Sequence, residues 1–100
     1  MPRIIPAGKA LQAWEVKAFD TVYQAATDGF IAAHAYAGAT ANGISVLTDS
    51  ANPPTVQRIR SHLAAGYVAG VCCPVKKNEY WKAGLSGGAE DKAVYFIPLS

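Results

Sequence analysis

Turn-forming residues break this 100-residue chain at short intervals. The breaks fall at Pro6-Ala7-Gly8, Asp28-Gly29, 38–43, 49–54, Gly66, Pro74, 76–78 and 84–91. Turn signals spaced about 8–12 residues apart specify many short strands, whereas helices need longer uninterrupted runs. The runs between the breaks agree. Residues 93–99 and 44–48 are dense in β-branched and apolar residues and read as strands. Residues 67–73 read as a third, ended by Pro74, which cannot donate to a ladder. Residues 29–37 and the run from Ile44 flank a Gly-rich loop with Asn42-Gly43, and that pattern predicts a hairpin. If 57–63 is extended, Ile59 and Leu63 share one face, and Arg58, Arg60 and His62 share the other.

Two segments admit a second reading. Leu11, Trp14, Ala18 and Val22 fit helical spacing. Read as strands instead, Gln12, Trp14, Val16 and Ala18 line one face, Glu15 and Lys17 the other, and Phe19-Asp20 makes a corner. The proline pair at Pro53-Pro54 can likewise open a helix. The strand reading is preferred for both. The expected fold is mainly β: a single antiparallel β-sandwich of about eight short strands over 9–100, after an extended arm at 1–8. The alternative is α+β, with helices near 10–26 and 54–65.

Hydrophobic residues make up 51% of the chain and charged ones 16%, which excludes intrinsic disorder. Much of the apolar content is Ala, so the core is thin, and oligomerisation is an expected source of further stability. A net charge of +2 makes no electrostatic case for nucleic acid. The uncharged stretch 29–48 holds His34, Tyr36 and several Gly and Asn breakers, so it does not read as a membrane span. Met1-Pro2-Arg3-Ile4-Ile5-Pro6 lacks the apolar core of a signal peptide, so synthesis in a cytoplasm is expected. Cys72 and Cys73 are adjacent; a disulfide between them would be strained, and metal-type spacing is absent. They are expected to be two small buried thiols.

Thr27-Asp28-Gly29-Phe30-Ile31-Ala32-Ala33, Leu47-Thr48-Asp49-Ser50-Ala51-Asn52-Pro53-Pro54-Thr55, Pro74-Val75-Lys76-Lys77-Asn78-Glu79-Tyr80-Trp81-Lys82 and Val94-Tyr95-Phe96-Ile97-Pro98-Leu99 follow one another in that order. The order resembles small jelly-roll-like β-sandwich domains of tailed-bacteriophage virion proteins. In such domains an Asp-Gly-aromatic opens a central strand. A Pro-Val-Lys-Lys-x-x-Tyr-Trp-like run enters the penultimate strand, and a hydrophobic strand closes the sandwich. The resemblance covers residues 27–100 and lies in turns and strand composition, not in a catalytic signature. It implies a jelly-roll-like sandwich, a homotrimer and a virion structural role of the decoration, cement or tail-fibre-tip type. It implies no catalytic residue. The chain departs from the pattern where 58–65 tolerates helix and where Ala replaces bulkier residues on several strands.

His34 and His62 are the two histidines. A nucleophilic site needs one of them beside a Ser or Cys and oriented by a carboxylate. Cys72 or Cys73 with His34 is the combination to consider, and no nucleophile motif accompanies it. No ligand pair has metal-site spacing. Asp28, Asp49, Glu79, Glu90 and Asp91 fall at predicted turns and read as backbone caps rather than paired acids in a cleft. The expectation is therefore no enzyme, no metal and no cofactor.

The expected contact residues are Arg58, Arg60 and His62 as a basic stripe, extended by Lys76 and Lys77, against an acidic protein surface or phosphate. The same charges serve to protect a strand edge. Tyr and Trp are favoured in interfaces. In an alternating strand one of Tyr80 and Trp81 points inward; Trp81 is assigned to the core and Tyr80 to the surface. Ile4 and Ile5 in the arm are expected to add to a neighbour's sheet edge. With the resemblance to phage virion domains, these lead to the expectation of a capsid decoration or cement protein, made in the host cytoplasm and held in the virion. Its partners would be its own copies and the major capsid protein or another virion protein, with no membrane or nucleic acid. A chain of 100 residues from Met1, without shaft or anchor repeat, suits that role over a tail fibre. The alternatives are a receptor- or carbohydrate-binding tail-tip module, and a small DNA-binding regulator if 54–82 forms a helix and wing.

Overall fold

A computed structural model describes residues 10–37, 42–87 and 91–99. These form eight strands: β1 (Glu15–Lys17), β2 (Tyr23–Gln24), β3 (Gly29–Tyr36), β4 (Asn42–Asp49), β5 (Gln57–Leu63), β6 (Val68–Val75), β7 (Tyr80–Ser86) and β8 (Lys92–Pro98). They lie in two sheets of four, ordered β1-β8-β3-β6 and β2-β7-β4-β5, and every pairing is antiparallel. The pairs β1·β8, β2·β7, β3·β6 and β4·β5 describe one long hairpin, β1–β4 against β5–β8. Rolling it up adds the contacts β3·β8 and β4·β7. That is the jelly-roll arrangement.

The topology corrects the expected β3–β4 hairpin. The two strands belong to different sheets, and only β4 and β5 are both consecutive and paired. The connecting residues 38–41 lie outside those described. Both strands alternate, but their inner sets, Ile31, Ala33 and Ala35 of β3 and Ile44, Val46 and Thr48 of β4, face one core. Strands in opposite sheets can face a core together, whereas paired neighbours share a plane.

Neither helical alternative forms. Leu11 bridges Leu99, β1 pairs with β8, β2 with β7, and β5 with β4. The predicted corner appears at Phe19-Asp20, where Asp20 has a φ of 58° and its N–H donates to the Ala83 carbonyl at 2.7 Å. Pro74 does not end its strand. β6 runs on to Val75, because it lies at the margin of its sheet, where proline costs no shared ladder bond.

The core is built from unequal partners. β3 contributes Ala33 and Ala35, with Ile31, while β7 and β8 contribute Trp81 and Phe96. Trp81, 1% exposed, stacks on Tyr23 at 4.8 Å and on Phe96 at 6.1 Å between ring centroids. Gly29 makes room for the Phe96 ring: a Cβ there would sit 2.7 Å from both that ring and the Ile97 carbonyl oxygen. At the β1/β2 margin, Lys17 pairs with Glu15 at 3.3 Å and lies 4.9 Å from the Tyr23 ring centroid. A charge at a sheet margin opposes unwanted strand pairing. The stack should carry much of the stability: Trp81→Ala is expected to cost about 3–5 kcal/mol in urea unfolding, with an unchanged slope.

Candidate functional site

The expected basic stripe is split by one irregularity. Val46 pairs with Ile59 but Leu47 pairs with Gln57, so Arg58 is an extra residue in a β-bulge. The bulge takes Arg58 off the face carrying Arg60 and His62. Its Nε donates to the Thr48 carbonyl at 3.0 Å and to Thr48 Oγ1 at 3.2 Å. Arg58 thereby stands at the open margin between β5 and β6, in a groove of about 840 Å³ that also meets Ile59, Cys73, Val75, Lys76 and Lys77.

Lys76 and Lys77 reach this groove through a tight turn joining β6 to β7. The Glu79 N–H donates to the Lys76 carbonyl at 3.1 Å, and Asn78 takes a left-handed φ of 71°, which Asn tolerates well. The Lys77 N–H donates to Asp28 Oδ1 at 2.8 Å and the Lys76 N–H to Glu79 Oε1 at 3.2 Å. Asn78 donates to the Ala25 carbonyl at 2.7 Å. The β2–β3 and β6–β7 crossings are thus bonded side by side. The carboxylates fix the turn backbone, and the groove end holds Arg58, Lys76 and Lys77 with Asp28 and Glu79.

Arg60 and His62 lie elsewhere, on the outer face of the sheet β2-β7-β4-β5. They border a shallow depression of about 440 Å³ with Ser45, Gln57 and Ser86. Tyr80 is half-buried and stands opposite Asp49 and Gln24, while Trp81 is in the core, as the alternation of β7 requires. Ile4, Ile5 and the arm 1–8 lie outside the described residues. The predicted contacts therefore divide between a groove and a face, and do not form one patch.

Asp49 closes the β4–β5 turn. Its Oδ2 accepts from the Thr55 N–H (2.8 Å), Thr55 Oγ1 (3.0 Å) and the Val56 N–H (3.0 Å), and its Oδ1 from the Ala51 N–H (2.7 Å). The Thr55 backbone N–H foremost holds its carboxyl below the usual carboxylate range; desolvation opposes it, and the Ala51 N–H, the Thr55 hydroxyl and the Val56 N–H together outweigh that opposition. A lowered folded-state value adds stability above the unfolded value, near pH 4, and loses it as pH falls through the folded value. Asp49 is therefore expected to titrate below ordinary Asp by NMR, and Asp49→Asn to flatten the acid limb of the stability–pH curve.

The surface that the sequence reading missed is the outer face of the sheet β1-β8-β3-β6. Partners of the buried positions identify it. β3 sends out Phe30, Ala32, His34 and Tyr36, and opposite them β6 sends out Pro74, Cys72, Gly70 and Val68. β8 adds Ala93 and Tyr95, with Ile97 pointing the same way but only 6% exposed, and β1 adds Val16. Trp14 packs edge-on against Tyr95, with ring centroids 5.5 Å apart. Val16 is 79% exposed, Val68 68% and Trp14 59%. No Asp, Glu, Lys or Arg points outward from the described strands of this face. Glu15, Lys17 and Lys92 stand in register with Phe96, Val94 and Ala35, which point inward. The outer face of the other sheet carries Asp49, Arg60 and Lys82.

This placement corrects the expectation of two buried thiols. Cys72 is exposed on the outer face and Cys73 is buried in the core, as adjacent residues of one strand must be. Burial foremost, with the Cys72 thiol adding to it and Arg58 opposing it, pushes the Cys73 thiol up. His34 and Cys72 are diagonal neighbours on this face, but no hydrogen bond joins them, and His62 is on the opposite side of the sandwich. In dilute native protein a thiol reagent is expected to modify Cys72 alone, and Cys73 only after unfolding, as read by mass spectrometry.

Among the described residues no three of His, Cys, Asp and Glu group as metal ligands, and no helix is long and apolar enough to cross a membrane. Fold and surfaces together define an eight-stranded jelly-roll β-sandwich with one polar and one uncharged outer face. Comparison with protein-family models, curated proteins and solved structures finds no match to the chain in any of the three.

Proposed function

We propose that this protein is a bacteriophage virion structural protein, a decoration or cement protein that stabilises the capsid by binding at subunit junctions. The observation that carries the reading is the uncharged, aromatic-bearing outer face of β1-β8-β3-β6. Contiguous apolar surface of that kind marks an interaction site. The virion context rests on the resemblance of residues 27–100 to phage jelly-roll-like domains. A protein of this kind needs no chemistry. Binding the assembled shell in preference to its dissociated parts stabilises the shell by mass action, by about 2.7 kcal/mol per site at a hundredfold excess over Kd.

The shell contact is assigned to the groove end with Arg58, Lys76 and Lys77, whose exposed cations suit an acidic rim. The regulator alternative required a helix within 54–82, and those residues form β5, β6 and the start of β7. The carbohydrate-binding alternative keeps one specific support, the exposed Trp14 ring beside Tyr95, since sugars stack on exposed aromatic rings.

Co-sedimentation with purified phage capsids tests the reading. Saturable pelleting is expected. The double variant Lys76→Glu/Lys77→Glu should weaken it about fivefold, at roughly 0.5 kcal/mol for each exposed ion pair lost. Specific binding on a glycan array, with no binding to capsids, would overturn it in favour of the tail-tip module.

A further inference from the structure

We propose that the free edge of β6 takes an extended acidic segment of a partner protein, which joins the sheet β1-β8-β3-β6 as a further strand and sets its carboxylates against Arg58, Lys76 and Lys77. The proposal rests on the reading above, that this groove end meets the shell, and names the form of the contact.

The backbone offers the pairing. The Ala37 N–H donates to the Tyr67 carbonyl at 3.1 Å, and the register of β6 with β3 runs unbroken from Tyr36 opposite Val68 to Gly29 opposite Val75. Antiparallel partners alternate between pairs that exchange both bonds and pairs that exchange none. Counted from Tyr67, the residues Ala69, Val71 and Cys73 bond to β3, while Val68, Gly70 and Cys72 turn N–H and C=O outward. Pro74 falls in the outward set, where a missing N–H costs no ladder bond. Among the described residues no strand pairs with this edge. The other margins are guarded. β1 has three residues with Glu15 and Lys17, β2 has two residues, and β5 carries the bulge together with Arg58 and Arg60. Short length, charge and bulges are the devices that block strand addition. β6 has eight residues, no charge and no bulge.

Charge selects the occupant. β6 runs into the turn with Lys76 and Lys77, and Arg58 meets the same groove end. Thr48 holds Arg58 by its Nε, and among the described residues no carboxylate forms an ion pair with any of the three cations. Asp28 and Glu79 accept the backbone N–H groups of Lys77 and Lys76 instead. Three cations against two carboxylates leave this end net positive. The β6 edge of a second copy, uncharged throughout, would leave the cations unmatched, whereas an acidic strand matches them. Antiparallel addition, the more stable per residue, places the acidic residues at the N-terminal end of the segment. Main-chain bonds to Val68, Gly70 and Cys72 then supply affinity, and the carboxylates supply specificity and register.

Titration of the full chain with the end-capped peptide Asp-Glu-Thr-Val-Thr-Val-Thr-Val, followed by amide hydrogen exchange, tests this. In the free chain the Gly70 and Cys72 amides should exchange fast and those of Val71 and Cys73 slowly; saturating peptide should protect Gly70 and Cys72. Methylating alternate peptide nitrogens should abolish binding in one phase and spare it in the other, because one set of N–H groups faces β6. Replacing Asp-Glu by Lys-Lys, or Lys76→Glu/Lys77→Glu in the chain, should weaken binding about fivefold. Gly70→Pro deletes an outward N–H without touching the β3 ladder, and a Cβ there meets nothing closer than the Ala33 carbonyl oxygen at 3.4 Å. It should weaken binding about tenfold. Should that variant fail to fold, the methylated peptides make the same test on the unaltered chain. No peptide binding, binding that leaves Gly70 and Cys72 unprotected, or equal effects of both methylation phases would overturn the proposal. Capsid pelleting undiminished by Gly70→Pro would sink strand addition and leave the decoration reading standing. Peptide binding with Gly70 and Cys72 protected, by a chain that pellets with no capsid, would do the reverse.

Discussion

Trp81 packed against Phe96 is the contact on which the rest of the sandwich depends. The two rings belong to different sheets, and their stacking with Tyr23 spans the space between the layers. The stack needs volume, and its neighbours yield it. β3 carries Gly29, Ala33 and Ala35 on its inner side, and the missing Cβ of Gly29 is what lets the Phe96 ring lie where it does. Small residues opposite large ones interdigitate at native density, so a chain rich in Ala still builds a filled core.

A core so arranged decides the surfaces. Once Ile31, Ala33 and Ala35 point in, Phe30, Ala32, His34 and Tyr36 must point out, because strand side chains alternate. The same rule sends Cys72 to one side and Cys73 to the other. β3 and β8 occupy the middle of their sheet, flanked by β6 and β1, so their outward residues merge into one uncharged field. The other sheet turns Asp49, Arg60 and Lys82 outward and is an ordinary solvated face. This difference between the two sides, one charged and one uncharged, is what the proposed role rests on.

Much of the fold was legible in the residues. Frequent turn signals and alternation led to eight short strands, to the corner at Phe19-Asp20 and to an inward Trp81. Of the readings that failed, two show most clearly why. Asn42-Gly43 signals a tight turn but says nothing of whether the chain returns beside the strand it left or crosses the core. Arg58 was grouped with Arg60 and His62 by strict alternation, and a single bulge opposite Val46 broke that count. The apolar outer face went unseen because its members come from four strands spread between Val16 and Ile97. No local window contains them together.

Alternation along the chain determined, by itself, that this protein is made of strands, and which residues of each strand share a side. Those are properties of the pleat, repeated every two residues. Only the tertiary structure decided which strands became neighbours, and therefore which sides joined into a core, a groove or an exposed sheet. That choice depends on pairings such as Val16 with Tyr95 and Phe30 with Pro74, distant in sequence, whose stability comes from the packed whole and not from either segment alone.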